Sequence, residues 1–227
     1  MGQAPGRDAP LVSEPVVTPT VGRLLPRTFF ARPVLQVAPE LLGAVVSSTR
    51  TGVAVRLTEV EAYAGPADPA SHAVRRTLRT EVMYGPPGFL YVYFVYGMHW
   101  CANLVTGPNG AASAVLLRAG EVTAGLAAAR ALRPSVHLDA RLGRGPAAVA
   151  ALLGLTGADS GSDLCRPGRA LAVRSGAPPT RISAGPRVGI TRAAERSWRF
   201  WENGAASVTA FRTGTRRRRP SDGSSQT

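Results

Sequence analysis

Alternation of apolar and polar side chains is clearest over Val53–Tyr63 (VAVRLTEVEAY), which predicts a long strand. Strict period two would put Val53, Val55, Leu57, Glu59, Glu61 and Tyr63 on one face and Ala54, Arg56, Thr58, Val60 and Ala62 on the other. The first face begins apolar and ends acidic, as in a strand that leaves a core and enters a cleft. Upstream, VLQVAPELLG (34–43) predicts a short helix stopped by Gly43, and AVVSS (44–48) a strand joined to the long one through a Thr51-Gly52 turn. Downstream, FLYVYFVYG (89–97), HWCANLVTG (99–107) and AASAVLLRAGEV (111–122) predict an antiparallel hairpin or meander, with turns at Gly97-Met98 and Pro108-Asn109-Gly110. Helical patterns follow at 121–132 and 145–153, then weaker strand patterns near 169–174, 186–191 and 206–211.

Between the long strand and the hairpin, residues 64–87 form a Pro-, Gly- and Arg-rich loop region carrying His72, Arg75, Arg76 and Arg79. A loop region of that length inside a compact domain is usually functional or disordered. The length of 227 residues favours one domain, drawn at 23–213. Residues 1–22 and 214–227, the latter with the Arg216–Arg219 run, read as disordered tails. Val82–Leu117 contains no Asp, Glu or Arg, but Pro86, Pro87, Gly97 and Asn103 interrupt it, so it reads as buried strands and not as a membrane span. Cys101 and Cys165 lie far apart and no basic-then-apolar leader is evident, which fits a protein of the reducing cytoplasm.

Charge narrows the class of partner. All 27 basic residues are Arg against 14 acidic residues, a net charge of +13, and residues 23–213 hold 22 of the Arg and 11 of the acids. The excess therefore belongs to the core, which points to a polyanion and best to nucleic acid. The lack of Lys removes the side-chain amine that Schiff-base chemistry needs.

Candidate chemistry clusters on the long strand. Glu59 and Glu61 would stand about 6.6 Å apart by the two-residue rise, a spacing open to an inverting carboxylate pair or to structural ion pairing with Arg. Arg118 follows the apolar run AVLL and needs a carboxylate such as Glu61 or Glu121 to be tolerated there. Tyr91, Tyr93, Phe94 and Tyr96 form a dense aromatic run, and Tyr96 sits at the turn edge where it should project outward. His72 has no second His or Cys at ligand spacing, so no metal site is expected.

The stretches TEVEAYAGPADPASH (58–72), MYGPPGFLYVYFVYGMHWCANLV (83–105) and VLLRAGEV (115–122), with RVGI at 187–190, resemble the alkyladenine (3-methyladenine, methylpurine) DNA glycosylase family from about Arg27 to Phe211. The resemblance implies a monofunctional base-excision repair enzyme, without lyase activity or cofactor. It would flip alkylated or deaminated purines out of double-stranded DNA and hydrolyse the N-glycosidic bond. It implies Glu61 as the base that activates water, Arg118 as holder of that water and of the flipped nucleotide, Tyr63 as one wall of the base pocket and His72 with Tyr93 as the other. Asn103 would disfavour the exocyclic amine of guanine, and Tyr96 would intercalate into the gap in the helix. Glu59 is read as structural, a partner of Arg56 or Arg118. The expected fold is α+β, one domain with a curved, mostly antiparallel sheet, a protruding β-hairpin and packed helices, sufficient as a monomer. The alternative is a non-catalytic lesion-recognition or nucleic-acid-binding module.

Overall fold

The computed structural model describes residues 22–214, so the expected tails, including the Arg216–Arg219 run, lie almost wholly outside the described residues. Two short helices, α1 (Arg27–Phe30) and α2 (Val34–Glu40), lead into β1 (Val45–Ser48) and β2 (Val53–Tyr63). After the 64–87 region come β3 (Leu90–Val95), β4 (His99–Thr106), β5 (Ser113–Ala124), α3 (Leu126–Leu132), β6 (Gly143–Arg144), α4 (Pro146–Leu152), β7 (Leu171–Arg174), β8 (Ile182–Gly185) and β9 (Arg199–Glu202). The described strands form one antiparallel sheet in the order β3-β4-β5-β2-β1-β7, with β6 on β5, β9 on β2 and β8 on β9. The α+β expectation holds: one curled sheet with a few helices.

The strand β2 organises the sheet. Its first half pairs with β1 over Val53–Arg56, its second half pairs with β9 over Glu59–Glu61, and β5 runs along its other edge. The β2–β5 register slips three times, first at Thr123 of β5 and then twice in succession, leaving Thr58 and then Arg118 without an opposite residue. Such bulges shift the phase of alternation by one. The core therefore takes Val53, Val55 and Leu57 before the bulge but Val60 and Ala62 after it. This corrects the strict alternation read from sequence: Glu59, Glu61 and Tyr63 share a face with one another but not with Leu57.

Helices α2 and α4 cover the apolar side of the sheet. Val34, Val37 and Ala38 of α2 and Val149 and Leu152 of α4 join Leu57, Leu104 and Leu117 in the main core. Helix α4 starts with Pro146 at its first turn, where the missing N–H costs nothing. A second, smaller cluster of Ala73, Met83, Tyr91, Val105, Ala112 and Ala114 lies under the 64–87 region.

Three boundaries differ from the sequence reading. The 121–132 helix begins only at Leu126, because β5 runs on to Ala124 and Gly125 (φ 73°) breaks it. The strand read near 186–191 lies earlier, at β8, and the one near 206–211 is replaced by β9. Both are four-residue strands stacked outward from β2, too short to show a period. The apolar 82–117 stretch is β3, β4 and the start of β5, and among the described residues no helix is long and apolar enough to cross a membrane.

Where β5 passes between β2 and β6, Gly120 has no room for a side chain: a Cβ there would strike Val55 Cγ1 and the carbonyl oxygen of Arg56. Gly120→Ala should destabilise the fold by about 1–3 kcal/mol through overpacking, read as a lower urea midpoint with an unchanged m-value.

Candidate active site

The bulge delivers two carboxylates to one buried place. Glu59 and Glu61 are both 0% exposed. A buried carboxylate costs several kcal/mol unless donors surround it, and the two solve that problem differently. Glu59 Oε1 accepts from Arg118 Nε (2.9 Å), Arg199 Nε (2.7 Å) and Thr209 Oγ1 (2.8 Å), while Oε2 accepts the Thr209 N–H (2.8 Å). Arg118 and Arg199 are themselves tied to Thr209 through its hydroxyl (3.1 Å) and its carbonyl (2.6 Å). Each Glu59 oxygen is thus engaged, and the side chain is a fixed node joining β2, β5, β9 and the 207–209 segment. A two-carboxylate glycosidase reading loses its second participant.

Glu61 is held more lightly. Its Oε1 accepts the Val188 N–H (2.7 Å) and lies 3.3 Å from Arg118 Nη1, and its Oε2 accepts the Tyr63 hydroxyl (2.9 Å). Burial pushes the Glu61 carboxyl up, Arg118, the Val188 N–H and the Tyr63 hydroxyl pull it down, and Glu59 adds a further push; the balance lies above the ordinary carboxylate value. The result is a stronger base than a solvated glutamate. Burial and the neighbouring Glu61 hold the Tyr63 phenol well above its usual value, so it stays protonated and donates.

Against Tyr63, whose hydroxyl reaches Glu61, opens a small slot lined by Tyr63, His72, Met83, Tyr91, Tyr93 and Asn103. The residues expected for a base pocket therefore do come together. Tyr91 and Tyr93 reach the same side because they are two apart on β3, whose alternate residues Leu90 and Val92 enter the main core. The Tyr91 and Tyr93 rings lie at 24° with centroids 5.6 Å apart, and His72 stands edge-on to Tyr93 at 4.5 Å. His72 Nδ1 lies 3.2 Å from Tyr91 Oη, and burial, helped by the charge of Arg79, lowers its pKa, favouring the neutral imidazole. Asn103 is buried on β4 and donates its amide to the Tyr91 carbonyl (3.3 Å).

Tyr96 stands apart from the slot, at the tip of the β3–β4 hairpin. It is 84% exposed. Tyr96 (φ 55°) and Gly97 (φ 68°) both take positive φ, with the Met98 N–H closing the turn on the Val95 carbonyl (3.2 Å). A tyrosine in that region is strained by about 1–3 kcal/mol. Phe94 and Met98 beside it are also exposed, so the tip is an apolar prow on a basic protein.

Several contributors went unread in the sequence. Arg199, Thr209 and the Val188 N–H come from more than 120 residues away and carry no local pattern. Asp68 and Arg187 stood inside quoted motifs without a role, yet form a fully buried ion pair. The partner choices also sharpen: Glu59 binds Arg118 and not Arg56, which forks onto Glu202 (2.7 and 3.1 Å) and reaches Glu121 at 3.5 Å. Glu121 is thereby taken, and Arg118 is neutralised by Glu59 and Glu61.

Residues 28–206 match the family model of methylpurine-DNA glycosylase, and the chain belongs to that family. A protein of Streptomyces avermitilis is 52% identical over 202 residues, covering 86% of this chain and 95% of that protein. Relatives from Nocardia farcinica (49% over 187 residues, 79% and 87% covered) and Burkholderia cenocepacia (46% over 185 residues, 80% and 89% covered) are similar. All three are provisionally named 3-methyladenine DNA glycosylase.

Because Glu59 neutralises two buried guanidinium groups, Glu59→Gln should cost about 3–5 kcal/mol of stability, measured by urea unfolding. A loss below about 1 kcal/mol, the range of an exposed pair, would refute its structural role.

Proposed function

We propose that the chain is a monofunctional DNA glycosylase of base excision repair. It takes alkylated or deaminated purines out of double-stranded DNA and hydrolyses their N-glycosidic bond, leaving an abasic site. The observation that carries this reading is Glu61: fully buried, raised in pKa, next to Arg118 and linked through Tyr63 to the aromatic slot.

In this reading the flipped base stacks between Tyr63 and the His72–Tyr93 side, with Asn103 crowding an exocyclic amine such as that of guanine. Arg118 holds the attacking water and the nucleotide backbone near Glu61. The C1′–N bond breaks with its electron pair leaving on the purine, the water oxygen bonds to C1′, and Glu61 accepts the water's proton. Flipping costs a few kcal/mol, least for a damaged pair, and Tyr96 filling the gap offsets part of it. Water is the nucleophile in this reading, and the absence of lysine removes the side-chain amine that an imine-forming strand cleavage would use. The residues this reading uses all come from one chain, so the reading calls for neither a second copy nor a cofactor.

Glu61→Gln should lower the single-turnover release of hypoxanthine or 3-methyladenine by about 10²–10⁴-fold while lesion-duplex binding persists. Wild-type release by that variant would sink the assignment; tight binding without release by the wild type would favour a recognition module. In the wild type the rate should fall as pH drops through the Glu61 pKa, with its acid limb above the ordinary carboxylate range because burial dominates that group. Tyr96→Ala should weaken capture of the flipped state by about 1–3 kcal/mol, read as a higher half-saturating enzyme concentration in single-turnover excision.

A further inference from the structure

Behind Tyr63, on a segment that does not line the slot, Arg187 is buried to 1% exposure. Its guanidinium forks onto Asp68, with Nη1 to Oδ2 at 2.5 Å and Nη2 to Oδ1 at 2.9 Å, and Nη1 also donates to the Ala62 carbonyl at 2.9 Å. It lies between two rings, 4.6 Å from the centroid of Tyr63 and 5.1 Å from that of Trp198. Asp68 in turn accepts the N–H groups of Ala64 (3.3 Å) and Ala70 (3.2 Å). One buried cation therefore grips the backbone on both sides of Tyr63.

The next residue along the chain is Val188, whose N–H is the donor to Glu61 Oε1. That N–H belongs to no strand: β8 ends at Gly185, and residues 186–190 are irregular. On its far side the segment is tied by the Gly189 N–H to the Arg212 carbonyl (2.9 Å). On its near side the side chain of Arg187 is the anchor. We propose that Arg187, locked by Asp68, is a positioning residue for the reaction: it fixes the 187–188 backbone so that the Val188 N–H stays on Glu61, and it backs the Tyr63 ring. This rests on the reading of Glu61 as the base.

Electrostatics turn this role into something a purely packing residue would not show. The groups facing Glu61 are Arg118 from β5, Glu59 and Tyr63 from β2, Tyr93 from β3 and the Val188 N–H; Arg199, opposite Glu61 on β9, is engaged by Glu59. If the 187–188 backbone relaxes, Glu61 loses a donor that stabilises its charged form while the rest remain. Its carboxylate then forms at higher pH. A residue that only packs the fold would lower the rate equally at every pH.

The test measures single-turnover excision from a duplex bearing one hypoxanthine, across the acidic and neutral range, for wild type, Arg187→Lys, Asp68→Asn and Glu61→Gln. Lesion binding and Tm are measured on the same preparations. Lysine keeps the charge but loses the planar fork; asparagine keeps the size and one acceptor oxygen, so it decides the matter if the lysine variant does not fold. The expected result is an acid limb displaced upward by about one pH unit, hence about tenfold slower on the acid side, with a near-normal alkaline plateau and retained lesion binding. An unmoved limb, or a uniform loss across pH, overturns the inference. An inactive Glu61→Gln beside an unmoved limb sinks this inference alone, whereas an active Glu61→Gln removes the reading beneath it.

Discussion

Burying two carboxylates two residues apart on one strand is the constraint around which this protein is built. Neither could stay charged in an apolar core, and the bulge at Thr58 turns both away from the side packed by α2 and α4. Two arginines, Arg118 and Arg199, balance the charge of Glu59 and Glu61 and hold four segments of the chain to each other. In the proposed reading, the same cluster also sets the chemistry.

Division of labour follows from how the donors are shared. Glu59 takes four donors on its two oxygens and is fixed. Glu61 has the Val188 N–H, the Tyr63 hydroxyl and Arg118 at a longer 3.3 Å, too few to offset its burial, and is left more basic than an ordinary carboxylate. A fully satisfied Glu61 would be a poor base; an unsatisfied one would not be tolerated. The strained Tyr96 turn belongs to the same economy of placement, since two residues at positive φ hold an aromatic side chain out in solvent.

Much of this was legible in the sequence where the signal is local. The long strand and the hairpin turns are period-two or turn-residue signals, and the structure keeps them. The phase shift at Thr58 was not legible, because a bulge depends on the partner strand and leaves the apolar pattern of VAVRLTEVEAY looking continuous. Arg199, Thr209 and Val188 were invisible for a related reason: they reach β2 from the far end of the chain through short strands and loops. The clustering of Glu61, Arg118, Tyr63, His72, Tyr93 and Asn103 was anticipated only through whole-motif resemblance, since no spacing rule joins a strand carboxylate to an arginine 57 residues later.

The central chemical claim is that Glu61 directs a water and does not itself bond to the sugar. The most direct measurement is the anomeric configuration at C1′ of the sugar left in the strand when excision runs in aqueous methanol, where the alcohol can take the place of water. Activation of the nucleophile by Glu61 predicts a methyl glycoside formed on the face opposite the departed purine, with inversion at C1′. Retention of configuration would mean two displacements through a glycosyl–Glu61 intermediate and would contradict the claim.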